Sequence, residues 1–144
     1  MQAGSKTLFS TMRKHFAFRG LGLGLGLLQV LAMPILSVAN AQQITPDGRT
    51  DTSLTVNGNV TDVYTNTRYG NTGLNSFSVF NVYQGNEVNL FLPSQTDNLV
   101  NMVTDQQTVI DGMLSAYKDG KIGGNVYFLN PHGVVVGRSG IVNV

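Results

Sequence analysis

The chain has 144 residues, 42% hydrophobic and 12% charged, with no Cys and no Trp. Its length suits one small domain, and the missing Cys excludes a disulfide scaffold, a thiol nucleophile and a Cys-ligated zinc or iron–sulfur site. The formal net charge of +1 hides a split: four of nine basic residues (Lys6, Arg13, Lys14, Arg19) precede residue 20, and beyond residue 41 five Lys and Arg face eight Asp and Glu, a net of −3, which excludes the basic surface that nucleic-acid binding needs.

Residues 1–41 have the three-part layout of a secretory signal peptide. The first 19 residues are basic and carry no acid, and Gly20 to Leu36 carry no charge. Ala39-Asn40-Ala41 then places small residues at Ala39 and Ala41, where signal peptidase cleaves. The apolar run is shorter than a membrane span and is diluted by Gly, Gln29 and Pro34. The expectation is a signal peptide over 1–41, read by the Sec machinery, and a mature part over 42–144.

The mature part holds 15 Val, 13 Asn, 12 Gly and 11 Thr, but one Ala and one Glu. Val and Thr favour a pleated backbone, and Asn and Gly favour turns. Strands are predicted near 53–56, 60–65, 77–83, 87–92, 99–103, 108–110, 125–129, 133–137 and 141–144. Asn57-Gly58 and Asp119-Gly120 read as type I′ hairpin pairs. Residues 70–76 read as a loop, and one helical turn is predicted near 111–118. Phe80 breaks the alternation of Phe77, Val79 and Val82. Asn recurring beside apolar positions (Asn81, Asn89, Asn101, Asn125, Asn130, Asn143) suits stacked coils whose amides bond the next rung.

The strongest local feature is Asn130-Pro131-His132-Gly133. Asn at the first turn position, Pro at the second and Gly at the fourth specify a type I turn. It lies between Val126-Tyr127-Phe128-Leu129 and Val134-Val135-Val136, and a second corner follows at Gly137-Arg138-Ser139-Gly140. Strand, corner, strand, corner, strand is the build of a parallel β-helix coil.

The chemistry-bearing residues form no catalytic, cofactor or metal pattern. His132 is the only His after residue 41 and reads as a turn residue. Asp47 and Asp51 lack the remaining acids of a calcium loop. The Gly-rich stretch 119–124 has Ile122 where a phosphate loop needs Ser or Thr. The reading is a non-enzyme.

Asn130-Pro131-His132-Gly133-Val134-Val135-Val136-Gly137 resembles the NPNG-type motif of two-partner secretion exoproteins. The upstream order is similar too: Asn75-Ser76-Phe77, Phe80-Asn81-Val82, Val88-Asn89-Leu90, Val100-Asn101-Met102-Val103 and Ile110-Asp111-Gly112. The resemblance covers roughly 42–144 and is closest to leukotoxin-like filamentous adhesins of the filamentous haemagglutinin style. His132 departs from the family's Asn, and residues 105–110 lack the second Asn-Pro motif. The resemblance implies an all-β, right-handed, single-stranded, pectin-lyase-like parallel β-helix with an N-terminal cap. It implies export through the periplasm to the cell surface or medium. It also implies recognition by the POTRA domains of a partner outer-membrane transporter. The expected contact mode, since edge strands template pairing, is strand addition to an extended stretch such as 77–92 (Phe77, Val79, Phe80, Asn81, Val82, Val88, Asn89, Leu90). Any host-cell receptor or glycan would be met by a region beyond Val144, because the chain reads as the N-terminal part of a larger exoprotein. Two other readings are a carbohydrate-binding β-sandwich with Tyr64, Tyr69, Tyr83 and Tyr117 as a sugar platform, and a small outer-membrane β-barrel.

Overall fold

The computed structural model describes residues 43–144. Thirteen strands and no helix occur among them. The Thr- and Val-rich segments wind into flattened coils, each strand lying parallel to its equivalent one coil later. One face stacks β3 (Val60–Thr65), β6 (Glu87–Phe91), β9 (Met113–Lys118) and β13 (Ile141–Asn143). A second stacks β5 (Thr72–Asn81), β7 (Asn98–Val103) and β11 (Asn125–Leu129). The third face is short: Val82 bridges Ile110 of β8 (Thr108–Ile110), which pairs β12 (Val134–Val136). Bonded partners on neighbouring coils stand 26 to 28 positions apart. The architecture is a parallel β-helix.

The remaining strands are antiparallel. Towards the N-terminus, β1 (Gln43–Pro46) pairs with β5, and β2 (Thr52–Asn57) pairs with β3. These two strands cap the start of the stack. Two short hairpins project from the coils: β4 (Arg68–Tyr69) folds onto β5, and β10 (Lys121–Ile122) folds onto β9.

The core fills the inside of the coils with Val63, Phe77, Phe80, Val82, Val88, Leu90, Leu99, Val103, Ile110, Leu114 and Ala116, all nearly inaccessible to solvent. Burying each Val, Leu or Phe contributes about 1.5–3 kcal/mol. The two ion pairs among the described residues, Arg49–Asp47 and Lys118–Asp97, are on the surface. Such pairs contribute about 0–1 kcal/mol, so apolar stacking dominates stability.

Three local expectations change, and a fourth is explained. Residues 113–118 form a strand, not a helical turn, because β6 and β13 pair with them and Leu114 and Ala116 face the core. Residues 70–76 are mostly strand: the turn is confined to Gly70 and Asn71, and β5 begins at Thr72. The first hairpin turns at Gly58-Asn59, not Asn57-Gly58, since Asn57 pairs with Val60. Gly58 has φ +60° while Asn59 is not among the positive-φ residues, which is the type II′ pattern. Asp119-Gly120 has positive φ at both residues, as type I′ requires. Finally, Phe80 points inward after Phe77 because the β1–β5 register slips: Thr45 faces Val79 and Pro46 faces Phe77, leaving Ser78 as an extra residue. A bulge of this kind shifts the side-chain alternation by one.

Candidate functional site

The Asn-Pro-His-Gly corner joins β11 to β12. Gly133 N–H donates to the Asn130 carbonyl at 3.1 Å, closing the turn. Asn130 Oδ1 accepts from His132 N–H at 2.8 Å. Its amide Nδ2 donates to the Gln106 carbonyl and Thr108 Oγ1, both at 2.9 Å. One Asn side chain therefore shapes its own turn and fastens it to the previous coil. His132 Nε2 lies 3.0 Å from the Thr104 carbonyl, again one coil back. Gly133 has φ +89°, a conformation that a Cβ would strain.

Residues 77–92 are divided between two faces. Phe77, Val79, Phe80 and Asn81 lie on β5 and pair with β1, and Phe77 also pairs with β7. Val88, Asn89 and Leu90 lie on β6, held between β3 and β9. Val82 stands at the corner between them. All eight side chains are buried. Phe77 and Phe80 meet edge to face at 5.1 Å, and Phe80 meets Phe128 of the third coil at the same distance. Asn81 Oδ1 accepts from Val109 N–H at 2.8 Å. In the folded domain β6 is therefore paired along both edges, and the stretch of β5 beyond Phe77 is paired by β1 on one side and bonded by Asp105 N–H and Val109 N–H on the other. Ala39 and Ala41 of the cleavage motif lie outside the described residues.

The inter-rung amide bonds expected of the recurring Asn residues form, at Asn101, Asn125 and Asn143 among others, and the structure adds an aromatic ladder that the sequence reading does not contain. Tyr64, Phe91 and Tyr117 occupy equivalent outward positions on three successive coils. Their rings stack at 4.6 Å and 5.3 Å with interplanar angles of 9° and 18°. Asn75 and Asn101 form a buried amide ladder: Asn75 Nδ2 donates to Asn101 Oδ1 at 3.0 Å, and Asn101 Nδ2 continues to the Tyr127 carbonyl. Thr52 Oγ1 closes the first end by donating to Asn75 Oδ1 at 2.8 Å. The aromatic spacing along the chain would have revealed the first ladder had the coil length been known.

Two other corner positions, Gly112 and Gly140, leave no room for a side chain. A Cβ on Gly112 would lie 2.4 Å from the Asn86 carbonyl oxygen, and one on Gly140 would lie 2.3 Å from the Ile110 carbonyl oxygen. These glycines stand at the same corner of successive coils. The cap is tied down by Asp47. Its Oδ2 accepts from Ser76 Oγ at 2.6 Å and from Arg49 Nε at 2.9 Å, and its Oδ1 accepts from Arg49 N–H at 3.0 Å. Desolvation pushes this carboxyl up, but the Ser76 and Arg49 bonds outweigh it and hold the pKa below the ordinary value.

The described residues form no cluster of three or more His, Asp or Glu able to hold a metal ion. What the arrangement supplies is a regular template of edges, corners and ladders. A family model described as the TPS secretion domain matches residues 42–144. Comparison with curated proteins and with solved structures finds no match.

Proposed function

The chain belongs to the TPS secretion domain family, and from that premise we propose that its outer-membrane partner reads residues 77–92 as extended chain before the β-helix forms. A domain of this family is the export part of a two-partner secretion exoprotein, and such a system pairs it with an outer-membrane transporter. The finer reading concerns when contact is made. Phe77, Val79, Phe80, Asn81, Val82, Val88, Asn89 and Leu90 are buried once the domain folds; β6 is paired on both sides, and the β5 residues are paired by β1, with β7 joining at Phe77. Strand addition needs an unpaired edge. Contact with these residues therefore belongs to the unfolded, periplasmic chain. Folding outside would then withdraw the contact and leave a nucleus on which following chain winds. The observation that carries this reading is the burial of all eight residues within a matched secretion domain.

The signal peptide over 1–41, with cleavage after Ala41, delivers the chain to the periplasm in this scheme. The test is a secretion assay with the tagged chain, with and without its transporter. Tagged protein is expected in the medium only when the transporter is present. In a companion binding assay, the POTRA domains should retain chain held unfolded in urea-jump conditions and release folded chain. Unchanged binding after scrambling 77–92, or equal retention of folded chain, would overturn the reading.

A further inference from the structure

We propose that the free edge of β2 is a docking site for an extended peptide strand, one carrying an aromatic side chain beside Ser53 and a basic one beside Thr55. The proposal rests on the folded cap and is independent of how the transporter reads residues 77–92. Strand β2 is last in its sheet among the described strands, with β3 on one side only. The two-residue turn makes Asn57 and Val60 a hydrogen-bonded pair, so Thr52, Leu54 and Val56 direct their N–H and C=O groups away from β3. Natural edges are guarded by charges, Pro or bulges. Thr52–Asn57 has no charge and no Pro, and its pairing with β3 runs without a register shift. The edge of β1, by contrast, carries Pro46 and a register shift.

Three side-chain features select the occupant. The first is the end of the aromatic ladder. Phe91 has a ring on each face, but Tyr64 has Ser53 where another rung's ring would stand. Tyr64 is accordingly 41% exposed. A ring on an added strand, opposite Ser53, can lean across this small residue and complete the stack. The second is Val56, which is 67% exposed although it lies on the same face of β2 as the core-packed Leu54. An apolar side chain beside it would cover it. The third is charge. Asp62 faces Thr55 across the β2–β3 pair, and Asp51 directly precedes β2. A Lys opposite Thr55 would stand in line with Asp62 on the far side of Thr55, about 9–10 Å across the sheet, a span its long side chain can reach over. The occupant is therefore a neutral-to-basic strand, antiparallel to β2, of the pattern Val-Lys-Val-Tyr-Thr.

The probe is a synthetic peptide with that core, titrated into isotope-labelled chain purified from the periplasm. The expected result is saturable NMR shifts centred on Thr52, Leu54, Val56 and the Tyr64 ring, with amide exchange at Leu54 and Val56 slowed about tenfold or more. Replacing the peptide's Tyr by Ser should weaken binding about threefold to tenfold. Val56→Pro removes only an outward N–H and should abolish binding while leaving the melting curve close to that of the parent. Asp62→Asn should weaken binding and flatten its salt dependence. Shifts centred elsewhere, undiminished binding to V56P, or no saturable binding would each overturn the proposal. If V56P fails to fold, Tyr64→Ala serves instead, with equal affinity for the Tyr and Ser peptides as the expected result.

Discussion

A methyl group is the smallest side-chain change available, and at Gly112 it meets backbone on two sides. The added Cβ would stand 2.4 Å from the Asn86 carbonyl oxygen and 2.5 Å from that of Tyr83. Backbone at a packed corner has nowhere to retreat, so Gly112→Ala should destabilise by about 1–3 kcal/mol or more. Gly85→Ala is the contrasting case. No atom lies within 4 Å of its added Cβ, but φ is +81°, so the cost is conformational and about 1 kcal/mol. Urea melts of both variants should reproduce this order. Asn101→Ala removes an acceptor from the buried Asn75 amide. Leaving that donor unpaired should cost about 1–3 kcal/mol, again read by urea melting. Asp47 gives a pH signature. Its folded pKa lies below the ordinary value, so its stabilisation is present above the unfolded pKa and is lost as pH falls through the folded one. The urea midpoint gap between the parent and Asp47→Asn should therefore be widest near neutrality and close in acid.

At the scale of the strand, pairing overrides local preference. The segment 111–118 contains Met113, Leu114 and Ala116, which favour a helix in isolation. Two parallel neighbours capture it as a strand instead. The aromatic ladder is a product of the same pairing. Phe91 is its middle member, and Phe91→Ala should cost more than Tyr117→Ala because two stacks are lost rather than one. Each stack contributes about 0.5–1.5 kcal/mol, and thermal melts of the two variants and the double variant would measure the coupling. Most strand positions were legible from Val, Thr and turn residues, and so was the chemistry of the corner at Asn130. Strands β1, β4 and β10 were not, because four- and two-residue segments have too little periodicity to signal themselves. Nor was the inward turn of Phe80 legible, because the extra residue at Ser78 is defined only by its partner strand. Inter-rung bonding by Asn was legible from its recurrence, but the partners and the aromatic ladder were not, because positions 26 to 28 apart become neighbours only once the coil length is set.

Apart from its short hairpins, the domain is built from non-local contacts. Every face joins residues about one coil apart, and the cap joins Gln43 to Asn81. Folding that must close such loops before gaining contacts is slow. A chain that folds slowly remains extended long enough to be read by a transporter, which fits the proposed timing of recognition. A variant that folds faster without losing the residues of 77–92 should be exported less efficiently. Secretion yield against refolding rate, across variants in the corners and ladders, would measure this and should slope downwards.

The coil length also has a mechanical meaning. A coil of 26 to 28 residues occupies one rung of the stack, about 4.8 Å along the axis, but pulls out to roughly 80–100 Å at ~3.3–3.6 Å per residue. Rungs hold only their neighbours, so under tension they should give way one after another rather than all together. Stretched from its C-terminal side in an optical trap, the domain would behave as a row of unclasping links. Each would lengthen the tether by about twenty times its height, with the antiparallel cap as the last link to open.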